Sequence, residues 1–205
     1  MDIAAEKKRL RALALGRRAG MGAGVREAAS RVAAGHALAA LGPVAGRTVA
    51  AFAPFRDEID TAPLTTALRR AGARLALPVI VGRGHPLIFR LWDAAASLTP
   101  AGAYGIPEPG PEAPEVIPDV VLVPLAAFDR RGYRIGYGAG FYDRTLHLLR
   151  QNNTILTLGF AFACQEVEAV PVESHDEAVD MMITESAALA CARPRGGRSG
   201  QTESH

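Results

Sequence analysis

DVVLVPLAAFDRRGYRIGYGAGFYDRTLHLLRQNNTILTLGFAF, residues 119–162, changes its periodicity twice. Its two ends, DVVLVPL (119–125) and TILTLGFAF (154–162), are short runs that are apolar at most positions, as strands buried on both faces are. Residues 142–152 between them supply a helical spacer. Strands alternating with helices predict an α/β layered fold with a largely parallel sheet.

The alternation continues outward. TVAAFAP (48–54), RLALPVIV (74–81), PLIFRLW (86–92) and MMIT (181–184) read as further strands, and 62–71 as another helical spacer. Two helices open the chain. The first, over 4–19, is rich in Ala, Leu, Lys and Arg and ends near Gly20 and Gly22; the second, over 25–41, stops at Gly42 and Pro43. Residues 99–118 hold six prolines and no period, which excludes a regular helix or a central strand there. One domain is expected over 1–192, with the helical segment 1–41 packed on it. The tail 193–205, RPRGGRSGQTESH, has no apolar anchor and is expected to be disordered.

Composition agrees with one domain. The 205 residues are 49% hydrophobic and 21% charged, and a chain of this size buries about 70% of its unfolded surface without disulfides or a structural metal. Two cysteines, Cys164 and Cys191, are too few for a disulfide framework or a zinc cage. A reducing, cytoplasmic setting is expected. No apolar run approaches a membrane span, and charges run through MDIAAEKKRLRALAL, where a signal peptide would carry its apolar block. The net charge of +2 conceals an asymmetry: residues 1–31 carry +5, residues 193–205 carry +2, and the remaining 161 carry −5. Both lysines, Lys7 and Lys8, lie in the first segment. A basic segment on an acidic body argues for a local anionic ligand and against a nucleic-acid or membrane partner.

The chemistry concentrates in GYRIGYGAGFYDR. Gly136, Gly138 and Gly140 alternate between a strand and a helix, so the backbone can turn sharply and aim N–H groups at an anion, aided by the helix dipole. The spacing is neither that of a dinucleotide-binding fingerprint nor that of a P-loop. Arg130, Arg131 and Arg134 precede it and offer forked donors for phosphate oxygens. Asp143 in the first helical turn is either a partner of the helix dipole or a ligand for a Mg²⁺ ion placed between it and phosphates. Lys7, Arg11 and Arg18 fall within about 40° of one another on a helix, so one face is either a solvated basic stripe or a contact for a triphosphate.

GYRIGYGAGFYDR resembles the signature of the 5-formyltetrahydrofolate cyclo-ligase family, usually written GYGGGYYDR. FRDEIDT (55–61), YGIPEP (104–109) and VPVESHDEAVDMMITE (170–185) follow in the family's order, and the resemblance covers nearly all of the chain but its tail. It implies a three-layer α/β/α sandwich similar to sugar-phosphate isomerases and CoA transferases. It also implies an enzyme that converts 5-formyltetrahydrofolate, ATP and Mg²⁺ to 5,10-methenyltetrahydrofolate, ADP and phosphate. Phosphorylation of the formyl oxygen would make it a leaving group, and the nitrogen at position 10 would then attack.

The resemblance also assigns roles. ATP falls to Lys7, Lys8, Arg9, Leu10 and Arg11, and to Arg134, Ile135, Gly136, Tyr137 and Gly138 with Ala139, Gly140, Phe141 and Tyr142. Arg134 and Tyr142 are the expected catalytic pair, and Asp143 with Asp176 the expected metal ligands. Folate falls to Ala53, Phe55, Glu58 and Trp92, with Tyr137, Gly138, Ala139, Gly140 and Phe141; a carboxylate at Glu58 can pair with adjacent pteridine N–H donors. Three positions depart from the pattern: Ala53 stands where a larger apolar residue is usual, Ala139 where glycine is frequent and Phe141 where tyrosine is. Ala139 is unstrained only with a negative φ. Asp57 and Asp60 are expected to be loop or capping carboxylates, Asp180 a helper or a surface residue, and His175 structural or exposed. Two other readings stay open: a paralogue on this scaffold acting on another N-formyl compound, and a non-catalytic nucleotide- or RNA-binding module. The sequence leaves monomer and homodimer undecided.

Overall fold

The computed structural model describes residues 2–93, 98–101 and 105–191. The tail 193–205 and Tyr104 of YGIPEP lie outside the described residues. Helices α1 (Ile3–Ala19) and α2 (Ala23–Leu41) lead into β1 (Thr48–Ala50), α3 (Ala62–Arg70), β2 (Arg74–Val79) and β3 (Ile88–Leu91). After β4 (Thr99–Ala101) and β5 (Ile106–Glu108) come β6 (Val120–Val123), β7 (Ala127–Phe128) and β8 (Arg134–Ile135). Then α4 (Phe141–Asn152), β9 (Leu156–Phe160), a short 3-10 turn (Ala163–Gln165), β10 (Met181–Ile183) and β11 (Ala188–Ala190) complete the fold.

Seven strands form one sheet in the order β11-β10-β9-β6-β1-β2-β3. The five inner strands are parallel, and antiparallel β3 and β11 close the edges. Each expected strand and helix is present. Alternation along β6 splits the core: Val120 and Leu122 face α2 and α3 through Ala33, Ala37, Leu64 and Leu68, while Val121 and Val123 face Leu146 and Leu149 of α4. That is the α/β/α layering expected. Prolines hid one element, because β4 and β5 pair as a separate hairpin within 99–118. They add to no central sheet, so their prolines interrupt no central ladder.

Capping sets the helix ends. Asp2 Oδ1 accepts from Ala4 N at 3.0 Å to start α1, and Asp60 Oδ1 accepts from Ala62 N at 2.9 Å to start α3. Asp60 stands one residue before the Thr61 cap of α3, so it is a loop carboxylate at the approach to the helix. Helix α1 does not lie on the main sheet: Leu10 and Ala14 pack on Ala127, Ile135, Val167 and Val170. This seats α1 beside the β7–β8 hairpin and the glycine loop that follows it. The chain passes from β1 outward to β2, then returns to β6 on the other side of β1. Such a reversal opens a crevice beyond the carboxyl ends of the two strands.

Candidate active site

A cavity of about 600 Å³ occupies that crevice. Phe52 and Ala53 after β1, Pro78 and Ile80 at the end of β2, and Pro124 after β6 form its floor. The glycine loop and the first turn of α4 form one wall, and α1 with residues 173–176 another.

The loop is built for close approach. Gly138 has φ 98° and Gly140 has φ 66°, conformations that a side chain would strain. Ala139 is not among the residues of positive φ, so its methyl is accommodated without strain. Gly140 caps α4 without a side-chain hydrogen bond, so the N–H groups of the first turn remain directed at the cavity. Helix α1 pins the loop, with Arg11 Nε donating to Gly136 O at 2.7 Å.

Charges are paired across the nucleotide end as assigned by the resemblance. Lys7 Nζ lies 2.6 Å from Asp176 Oδ2 and 2.8 Å from Glu173 Oε2. Burial opposes the Lys7 ammonium, but the two carboxylates outweigh it and hold its pKa above the ordinary lysine value. Arg134, largely buried, donates through Nη2 to Asp143 Oδ1 at 2.8 Å and through Nη1 to Glu177 O. Asp143 Oδ1 also accepts from Glu177 N at 3.2 Å. Asp176 stands with Glu173 and His175 in a cluster whose ligand atoms lie within 4.8 Å of one another. Oxygen-rich donors of this kind suit a hard divalent cation such as Mg²⁺. His175 is exposed, as expected.

At the other end stands Glu58. Its Oε1 accepts from Tyr137 Oη at 2.6 Å and its Oε2 from Phe55 N at 2.8 Å. Burial raises the Glu58 pKa despite these donors and the nearby Arg18. Burial likewise pushes the Tyr137 and Tyr142 phenols upward, with the Glu58 charge adding to both, so both hydroxyls stay protonated. Phe55, Ile80, Leu87 and Ile106 line the apolar part of this end. Glu108, 7% exposed, faces it with its pKa raised by burial.

The cavity therefore gathers Lys7, Lys8, Arg11, Arg134, Ile135, Gly136, Tyr137, Gly138, Ala139, Gly140, Phe141, Tyr142, Asp143, Asp176, Ala53, Phe55 and Glu58. Other expected residues lie elsewhere. Arg9 is exposed and pairs with Glu6 at 2.6 Å, and Leu10 is buried in the α1 packing cluster. Lys7, Lys8 and Arg11 share the cavity face of α1, and at 100° per residue Arg9 and Leu10 turn to other faces. Trp92 does not line the cavity; it packs against the α2–α3 core with the Arg69 guanidinium 4.6 Å above its ring. Arg130 pairs with Glu166 and Arg131 with Asp129, leaving Arg134 alone of the three at the cavity. Asp180 accepts from Thr157 Oγ1 at 2.7 Å and serves the strand, not the site. Asp57 is no simple loop carboxylate, because it pairs with Arg18 at 2.7 Å.

Sequence reasoning gave Glu173 and Glu108 no role of their own, and offered Arg18 to a triphosphate where the structure sets it against Tyr137 and Asp57. Glu173 stood three residues before Asp176 in an acidic run already singled out, so its spacing was a usable signal. Glu108 lies within YGIPEP, and nothing local told Arg18 apart from Lys7 and Arg11 on the same helix face.

Comparison with known proteins places the chain in a family. A family model described as the 5-formyltetrahydrofolate cyclo-ligase family matches residues 3–185. The 5-formyltetrahydrofolate cyclo-ligase of Escherichia coli K12 is 40% identical over 152 residues, 70% of this chain and 80% of that protein. The Mycolicibacterium smegmatis cyclo-ligase is 35% identical over 156 residues, covering 73% and 79%. The NMR structure of Aquifex aeolicus 5,10-methenyltetrahydrofolate synthetase superposes with a TM-score of 0.74 at 27% identity, covering 97% of this chain and 99% of that one. With its glycine loop, its paired cations and its fold all in the matched region, the chain belongs to the 5-formyltetrahydrofolate cyclo-ligase family.

Proposed function

We propose that the chain closes 5-formyltetrahydrofolate to 5,10-methenyltetrahydrofolate at the expense of ATP, with Mg²⁺ as the metal. The observation that carries this is the single cavity with two chemically different ends. The glycine loop, the α4 N-terminus, Lys7, Arg11 and Arg134 suit a polyphosphate. Glu58 among apolar walls suits a flat heterocycle with N–H donors. Between the ends the formyl oxygen and the γ-phosphoryl group would meet.

Asp143 and Asp176 would hold Mg²⁺, which neutralises phosphate charge when bound. The chain's own residues do the rest. Arg134 beside Asp143 can follow the transferring phosphoryl group with a forked donor, and backbone N–H groups of the loop hold its neighbours in place. The protonated Tyr142 hydroxyl at the wall can donate to an oxygen that gains charge. Once the formyl oxygen carries phosphate, attack by the nitrogen at position 10 closes the ring and phosphate leaves. Glu58 fixes the pterin so that this nitrogen can approach.

Protein, ATP, Mg²⁺ and 5-formyltetrahydrofolate, mixed anaerobically, should develop the near-UV absorbance of the methenyl product. Product that forms equally without ATP, or no product at all, would overturn the proposal. Among the described residues no helix is long and apolar enough to cross a membrane.

A further inference from the structure

Arg18 ends the cavity-facing stripe of α1, yet it meets no phosphate site. Its side chain is 3% exposed and reaches two acceptors: Asp57 Oδ1 at 2.7 Å and Tyr137 Oη at 3.0 Å. Asp57 directly precedes Glu58, and the Tyr137 hydroxyl donates to Glu58 Oε1 at 2.6 Å. Three separate segments, α1, the loop after β1 and the glycine loop, are tied at one point.

Burying a guanidinium is costly, and the Asp57 pair alone would compensate the charge. The bond to Tyr137 does something further. Tyr137 is 48% exposed and stands between Gly136 and Gly138, so packing does little to fix its ring. Its orientation rests on the two hydrogen bonds at its hydroxyl. The positive charge of Arg18 also polarises that hydroxyl and strengthens its donation to Glu58.

We infer that Arg18 is a positioning residue for folate, fixing the Tyr137 ring and the Glu58 carboxylate against each other at the folate end of the cavity. The inference rests on the assignment of Glu58 to the folate. It places a determinant of folate affinity on the helix that also carries the ATP-facing Lys7 and Arg11, so the two ends share one support.

Steady-state kinetics with each substrate varied in turn test it. Tyr137→Phe raises KM for 5-formyltetrahydrofolate about tenfold while KM for ATP stays within about twofold, as expected for one lost charge-assisted bond. Arg18→Lys keeps the charge but reaches one acceptor at a time, and raises the folate KM by about threefold. In the Tyr137→Phe background, Arg18→Lys adds nothing to the folate KM, because the link it weakens is already gone. A folate KM unmoved by Tyr137→Phe, additive effects in the double variant, or equal rises in both KM values would overturn the inference. Glu58→Gln is measured alongside. If it leaves the folate KM unchanged, the assignment of folate to Glu58 has failed; if it raises that KM while the other two variants do not, the positioning role alone has failed. All three substitutions are conservative in size, and thermal melts confirm that each variant is folded.

Discussion

Lys7 Nζ lies 2.6 Å from Asp176 Oδ2, so a cation assigned to phosphate rests on a carboxylate assigned to metal. The same holds for Arg134 and Asp143, 2.8 Å apart. On that assignment the nucleotide and metal ligands neutralise one another, and an arriving Mg²⁺–ATP complex would take both halves of each pair at once. Metal alone must displace a cation, and nucleotide alone must displace an anion.

Lys7→Met separates these effects. Nucleotide binding, measured by calorimetry, weakens about tenfold or more, while Mn²⁺ binding without nucleotide, measured by electron paramagnetic resonance, tightens. Weaker Mn²⁺ binding in this variant would show that Lys7 does not compete with the metal.

Asp143→Asn keeps an oxygen that can accept from Arg134 and from Glu177 N, so the fold survives. Turnover should fall by at least about a hundredfold, because a metal ligand and its charge are lost together. Retained turnover with an unchanged Mg²⁺ requirement would remove Asp143 from the metal site.

Glu58 links function to stability through pH. Its folded pKa is raised by burial, so the native state holds the proton more tightly than the unfolded chain does. The stability it contributes is complete below the ordinary glutamate value of 4.5 and is lost as pH rises through the higher folded value. Glu58→Gln should therefore melt higher than the parent at neutral pH, with the advantage vanishing below that ordinary value, and should bind folate less well throughout. A melting difference that grows as pH falls would reverse the sign and refute the argument.

Two glycines should fail differently. A Cβ at Gly159 in β9 would run into Met182 Sδ and stand 3.1 Å from Leu125 Cδ2, with both neighbours buried. Gly159→Ala should cost about 1–3 kcal/mol in denaturant unfolding and leave KM for ATP alone. Gly138 meets no atom closer than Arg11 Nη2 at 4.0 Å, but its φ of 98° resists any side chain. Gly138→Ala should raise KM for ATP, because the backbone must leave the shape that faces the phosphates.

Trp92→Phe should lower the melting temperature and leave the folate KM unchanged, since the ring packs on Arg69 and the α2–α3 core. A raised folate KM would return Trp92 to the cavity.

How much of this was legible follows from how local each signal is. Apolar runs mark strands because burial on both faces leaves no polar positions, and glycines with caps mark helix ends, so VVLV and its neighbours could be read directly. The glycine loop was legible because its backbone needs are met by residue type alone. Arg130, Arg131 and Arg134 look alike in sequence, yet Arg130 turns to Glu166, which the folded chain brings within reach, and Arg131 to Asp129, only two residues away. Trp92 and Arg18 both stand away from their expected places, because their destinations are fixed by packing between segments far apart in the chain. The β4–β5 hairpin escaped because prolines forbid a central strand but not a short separate ribbon.

The seat of α1 bears on the order of synthesis. Its buried residues Leu10 and Ala14 rest on Val167 and Val170 as well as on Ala127 and Ile135. Once α1 has been made, its full dock exists only after more than 150 further residues have followed. Until then Lys7, Arg11 and Arg18 have no loop to hold. A nascent chain can thus assemble β1, β2 and β6 before the cavity end assigned to the nucleotide exists, and on that assignment catalysis waits on the docking of α1 against residues 167–170.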